Sequence, residues 1–376
     1  LRLRHPDGSL LHLAYCSNVH PADDLDGIAA QLERFPARVR ERLGVDRLGV
    51  GMWVAAPALA GAERLRERLD ALGLEVVTLN GFPYRAFHAD VVKLEVYRPN
   101  WATDARREYT LGLARLLAEL LPDDVEEGSI STLPLGWRTE WSQADAAVGR
   151  RALEEVADGL AELRDDTGKT VRLALEPEPG CTIETVAQAA AFLDGLAPGW
   201  IGLCLDACHL AVQFEDPEEA LARLDAAGAR VVKAQVSSAL RVPAPASAEG
   251  RAFLETFAEP RFLHQTRECV GGAVRGTDDL PEALDGGLPA EDEWRVHFHV
   301  PVHAAPEHTT QDELRATLRA LAGGPVPRTR HYEVETYTWG VLPDGPGGDE
   351  GLVEGLAAEL AWTRDRLVEL GAEEVR

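Results

Sequence analysis

The sequence predicts an α/β protein whose parallel strands close into a (β/α)8 barrel, and three observations predict it. Short apolar or β-branched runs alternate with longer amphipathic stretches along the chain, the pattern of repeated βα units. Eight strand runs can be placed, at residues 12–18, 48–54, 75–79, 129–135, 171–176, 201–206, 230–236 and 331–337, the number a barrel requires. Acidic and imidazole side chains close several of these runs, where a parallel barrel gathers its site. A doubly wound open sheet is the competing architecture, but no GxGxxG or phosphate-binding loop follows the first strand.

In chain order, HLAYCSN is the first strand, and the helical stretch after it contains Pro36, whose ring and missing N–H break or kink a helix. Residues 48–62 are the longest uncharged run. Gly49, Gly51, Pro57 and Gly61 interrupt it, and it is shorter than the roughly 18–20 residues a bilayer needs, so it reads as a buried strand and a helix start. A helix over 62–72 leads to the third strand. The connection 80–127 is long and holds the loop NGFPYRAFH before a helix over 104–121. Residues 144–163 and 351–370 are further helices. Asp216-Pro217 supplies a cap and a first-turn proline, and Thr310 with Glu313 has capping-box spacing. Between strands seven and eight, residues 241–330 hold an inserted strand pair at 261–266 and 295–302. A connection of this length is read as an insertion over the C-terminal mouth of a single barrel domain spanning residues 1–376.

Composition narrows the function classes. Of 376 residues 45% are apolar, which supports a packed core, and the formal charge is −25. A field of that sign repels phosphate backbones and anionic lipid, so neither nucleic-acid binding nor membrane insertion is expected. The five cysteines are odd in number and irregularly spaced, and LRLRHPDGSLLHLAY lacks an export signal's apolar core, so reduced thiols and a cytoplasmic location are expected. A homo-oligomer is compatible with the sequence.

The chemistry sits at strand ends. VRLALEPEPG closes on Glu176, and IGLCLDACH on Asp206 with His209 three residues on. RVVKAQVSS carries Lys233 and Gln235 at alternate positions; HYEVETYTW carries Glu333 and Glu335 on one face, and Glu335 is nearer the C-terminal end. Carboxylates, an imidazole and an amide oxygen are the ligand set for Mg, Mn or Zn. Each also has a structural reading: Glu176 and Asp206 as helix caps, Gln235 as a satisfied loop amide. Further substrate-binding candidates are His20, beside Asn18 after strand one, Asn80 and His88 after strand three, and His297 and His299 on one face of WRVHFHVPVH. Lys93, Arg98 and Arg241 suit a phosphate or carboxylate, and Trp53, Phe82, Trp137 and Trp339 suit an apolar wall against a sugar ring.

GLCLDACH resembles a stretch of the endonuclease IV family, and Leu-Glu-Pro is similar to sugar epimerases and other xylose isomerase-like TIM barrels. Longer stretches, among them YCSNVHP, TLNGFPYRAFH, LEPEPGC, DACHLAVQFED, KAQVSSAL, FLHQTR and HYEVETYTWGVLP, resemble over nearly the whole chain the metabolite traffic protein EboE family, a xylose isomerase-like barrel of small-metabolite biosynthesis and export operons. The epimerase resemblance implies one divalent metal (Mn, Mg or Zn) held by Glu176, Asp206 and Glu335, with the two glutamates as the catalytic pair. At the remaining ligand position this chain has Gln235 in place of a histidine, and His264 of FLHQTR is the alternative donor. His209 then binds a substrate hydroxyl. The expected function is an isomerase or epimerase acting on a sugar, sugar phosphate or cyclitol. The alternative is a metabolite-binding protein that keeps the pocket without turnover. An endonuclease IV-like activity is disfavoured, because strand seven lacks the additional His and Asp ligands and the chain is acidic.

Overall fold

The computed structural model describes residues 1–304 and 306–375. Eight strands make the barrel: β1 (Leu10–Cys16), β2 (Leu48–Trp53), β3 (Leu74–Asn80), β4 (Glu127–Thr132), β5 (Thr170–Leu175), β6 (Ile201–Asp206), β7 (Val231–Val236) and β8 (His331–Val334). Each pairs in parallel with the next, and β8 closes on β1 with His331 opposite His12 through Val334 opposite Tyr15. Both β2 and β6 are buried at every residue, because helices cover one face and the barrel interior the other. Outside the ring, Arg2–Arg4 runs antiparallel to the start of β1, and Glu373–Val375 pairs beside it. Among the described residues no helix is long and apolar enough to cross a membrane.

Pro36 acts as its chemistry dictates: Leu25–Arg34 ends before it, and Pro36–Leu43 starts on it. Asp216 caps Pro217–Ala226, its Oδ1 accepting from the backbone N–H groups of Glu218 and Glu219 at 3.0 Å each. The capping box expected at Thr310 is not formed. The Thr310 hydroxyl instead accepts from the N–H of Ala239 at 2.8 Å, and Glu313 pairs with Arg295 at 2.8 Å, so long-range partners outcompete the local motif.

The segment between β7 and β8 is larger than a strand pair. It is a four-stranded antiparallel sheet, ordered Ala273–Thr277, Thr266–Val270, Trp294–His299 and Ala239–Val242. The run expected at 261–266 becomes strand only from Thr266, and the one expected at 295–302 ends at His299. This sheet packs over its own apolar cluster, which includes Leu240, Leu254, Phe257, Leu280, Trp294 and Phe298. Its first strand starts three residues after β7 ends.

The barrel interior is polar at mid-height. Lys233 of β7 lies 2.6 Å from Glu333 of β8, both side chains fully buried. Lys233 also donates to Asn80 Oδ1 at 2.7 Å, and Gln235 Nε2 donates to the same oxygen at 3.2 Å. The Asn80 amide in turn donates to Glu333 Oε1 at 2.5 Å. Gly51 of β2 makes room for this cluster, since a Cβ there would collide with the Glu333 carboxylate.

Candidate functional site

Above that layer, at the C-terminal ends of β5, β6 and β8, three acids converge. One oxygen each of Glu176, Asp206 and Glu335 lies within 4.8 Å of the others, all buried. Glu176 follows β5 directly, its N–H donating to the Thr132 carbonyl at 3.0 Å. Asp206 ends β6 and also caps the short helix Ala207–Val212, so its structural and chemical readings are not alternatives. Its Oδ1 accepts from the N–H of His209 at 2.9 Å and from the Ser237 hydroxyl at 2.8 Å. Its Oδ2 is buried without a hydrogen-bond partner among the described residues. Glu335 continues past β8 and accepts from Asn18 Nδ2 at 2.9 Å. Glu333, committed to Lys233, stands apart from the triad.

Electrostatics follow from crowding. Burial, reinforced by the charge of Asp206, pushes Glu176 up to about 7. Burial with Glu176 and Asp206 as neighbours holds Glu335 well above the ordinary carboxylate range. Buried carboxylates this close repel one another as anions, and a divalent cation relieves that repulsion. The partnerless Asp206 Oδ2 and the all-oxygen triad therefore fit a hard or borderline ion such as Mg, Mn or Zn.

Imidazoles surround the acids. His209 donates from Nδ1 to the Pro177 carbonyl at 2.8 Å, and its Nε2 lies 3.0 Å from His297 Nε2. The other His297 nitrogen meets Gln265 Oε1 at 2.6 Å. Burial and the adjacent His209 and His299 rings hold His297 well below the usual imidazole value. His299 donates from Nδ1 to the Glu335 carbonyl at 2.8 Å, and burial lowers it to about 4. Its Nε2 stands 4.0 Å from Asp206 Oδ2.

Other candidates lie elsewhere. His264 meets the His297 carbonyl at 3.0 Å and Glu259 at 2.8 Å, so both its nitrogens are engaged away from the acids. His20 bonds Tyr15 and stacks on Phe35 at 4.1 Å between ring centres, outside the acid cluster. His88 packs against Trp53 and Phe87. Lys93 is paired with Asp279, Arg98 with Glu95 and Glu140, and Arg241 with Glu313. Of the aromatic candidates, Phe82 lines the cavity over the acids, Trp137 packs on Tyr97, Trp53 donates to the Pro83 carbonyl, and Trp339 donates to Glu359.

Two cavity residues escaped the sequence reading. Glu178 accepts from the Tyr97 hydroxyl at 2.6 Å, and burial raises it to about 8. Both line the cavity with Glu176, His209 and Glu335. The repeat Glu-Pro-Glu-Pro was the available signal for Glu178, since residues two apart in extended chain share a face. Tyr97 sits in the long connection after β3, where no periodicity marks it.

A family model described as "Xylose isomerase-like TIM barrel" matches residues 41–259. Among solved structures the chain is similar to D-psicose 3-epimerase with D-tagatose from Clostridium cellulolyticum H10, at 15% identity and a TM-score of 0.51, with 95% of this chain and 99% of that chain covered. It is also similar to a xylose isomerase-like TIM barrel protein from Mycobacterium smegmatis in complex with magnesium, at 15% identity and a TM-score of 0.51, with 95% and 98% covered. Identities this low speak to the fold alone. No curated protein matches the chain.

Proposed function

Because the chain belongs to the xylose isomerase-like TIM barrel family, we propose that it is a divalent-metal-dependent isomerase or epimerase of a small polyhydroxylated carbonyl compound, such as a sugar, sugar phosphate or cyclitol. The observation that carries this reading is the buried Glu176–Asp206–Glu335 triad with the partnerless Asp206 Oδ2. The magnesium complex of the Mycobacterium smegmatis protein and the sugar complex of the epimerase support it.

In this reading Glu176, Asp206 and Glu335 hold the ion. When bound, it supplies Lewis acidity to a substrate carbonyl and the hydroxyl beside it. Glu176 and Glu335 come from strands that are not neighbours and approach the cavity from different sides. One removes the carbon-bound proton and the other returns it to the opposite face. His209, fixed by Pro177 and His297, orients a substrate hydroxyl. Asn80 is held by Lys233 and Glu333 at the cavity floor, and residues 241–330 cover the mouth and keep water from the carbon acid. The direct test pairs metal analysis with deuterium uptake from solvent into a panel of ketoses, sugar phosphates and cyclitols. Bound metal with exchange at one carbon is expected; neither metal nor exchange refutes the reading.

One observation favours a second reading, a cytoplasmic metabolite-binding or traffic protein of the kind the EboE resemblance implies. Gln235 stands where a histidine ligand is expected, its Nε2 donating to Asn80 Oδ1 and its Oε1 buried without a hydrogen-bond partner among the described residues. Calorimetry with Glu335→Gln separates the two. Undiminished metabolite binding without turnover in either protein indicates a carrier.

A further inference from the structure

We propose that the nitrogen ligand of the metal centre is His299, supplied by the inserted sheet and not by the barrel. The proposal rests on the metal reading above and deepens it.

The assignment follows from counting lone pairs. His264 has both nitrogens engaged, by the His297 carbonyl and by Glu259. His297 has both engaged, by Gln265 and by His209. His209 is held at Nδ1 by the Pro177 carbonyl, and its Nε2, also 4.0 Å from Asp206 Oδ2, is occupied by the His297 ring at 3.0 Å. His299 differs. A carbonyl only accepts, so its contact with the Glu335 carbonyl places the proton on Nδ1 and leaves a lone pair on Nε2. Among the described residues that Nε2 is buried with no hydrogen-bond partner, and so is Asp206 Oδ2 opposite it. Two lone pairs cannot bond each other, and 4.0 Å is too long for a hydrogen bond. It suits two ligands of one ion, since metal–ligand bonds of about 2.0–2.2 Å place ligand atoms roughly 3 to 4 Å apart. The His299 N–H on a carbonyl is also the outer contact that orients ligating imidazoles.

His299 ends the strand Trp294–His299, which pairs with Ala239–Val242 of the insert. An ion shared by His299 and the barrel carboxylates therefore pins the insert to the mouth, and metal binding and docking of the insert become one equilibrium.

Manganese(II) alone is the probe. Electron spin-echo spectroscopy of the manganese-loaded wild type is expected to show coupling to imidazole nitrogen. His299→Gln should remove that coupling and weaken manganese binding by at least the roughly 10- to 100-fold that loss of an outer partner costs, whereas Gln235→Leu should leave the coupling in place. Hydrogen exchange on the wild type needs no variant: manganese should slow exchange in residues 294–299 as well as at the barrel strand ends. Manganese bound without nitrogen coupling, coupling that survives in His299→Gln, or protection confined to the barrel each overturns the assignment while the carboxylate centre stands. Absence of manganese binding in the wild type, or binding unaffected by Glu176→Gln and Glu335→Gln, overturns the metal reading itself.

Discussion

Lys233→Met tests the polar layer beneath the site. The Lys233 and Glu333 side chains are fully buried, 2.6 Å apart. At an effective dielectric of about 20 their attraction is on the order of 6 kcal/mol, set against several kcal/mol of desolvation for each ion. Removing the cation leaves Glu333 with the amide of Asn80 as its remaining close polar contact. It escapes by taking up a proton, and the cost of protonating a carboxyl of ordinary value near 4.3 rises with pH, from about 1 kcal/mol at pH 5 to about 3.5 kcal/mol at pH 7. The sign is that of a group raised in the folded state, with stability kept at low pH and lost as pH rises. Urea unfolding of wild type and Lys233→Met at both pH values measures this. Gly51→Ala, which pushes Glu333 off the same cation, should cost less in the Lys233→Met background than in the wild type. A loss below 1 kcal/mol at pH 7, or a loss equal at the two pH values, would refute the reasoning.

Three further outcomes are expected. The chelated protein should lose stability as pH rises through about 7 to 8, because Glu176, Glu178 and Glu359 are all held up by burial and their folded states favour the proton; urea titrations at pH 5.5 and 8.5 read the slope, and a rise with pH contradicts it. Added metal should bind more tightly as pH increases from 6 to 8, with proton release seen as a buffer-dependent calorimetric heat, since Glu176 and Glu335 must ionise to ligate. Ser237→Ala removes a donor to Asp206 Oδ1 and an acceptor for the Cys208 N–H at 2.9 Å, and should cost about 1–3 kcal/mol and lower metal affinity about 10- to 100-fold, measured by urea unfolding and calorimetry.

The barrel strands were legible because most of their residues are buried, which writes short runs rich in apolar and β-branched residues into the chain even where Lys233 or Glu333 faces the polar interior. Boundaries drifted where local geometry intervenes. The eighth strand stops at Val334 because residues 337–341 wind into a 3-10 helix. The fourth ends at Thr132, ahead of Pro134 and of Leu135 in the left-handed region at φ 76°. The insert was half-read because strand Ala273–Thr277 is exposed over most of its length and carries no apolar run. Its hairpin did leave a trace in Gly271-Gly272, at φ 58° and 84°, the pair such a turn demands. Glu176, Asp206 and Glu335 were visible as acids closing apolar strands. The engaged state of His264 and the open lone pair of His299 were not, because each turns on a distant carbonyl, that of His297 or of Glu335, which no spacing encodes.

The short run from β7 into the inserted sheet bears on how such a protein can be remodelled. Barrels are commonly diversified by exchanging the loops at their mouths while the strands stay put. Here Ser237, which steadies Asp206, lies two residues before Ala239 opens the insert, and the insert's far strand returns His299 onto the Glu335 carbonyl. Transplanting or deleting residues 239–299 would disturb the chain two residues from Ser237, the donor to Asp206, and strip a contact from the end of β8 in one operation. Scaffold and covering are a single part, and variation that leaves the acids in place is confined to the outer hairpin around Gly271.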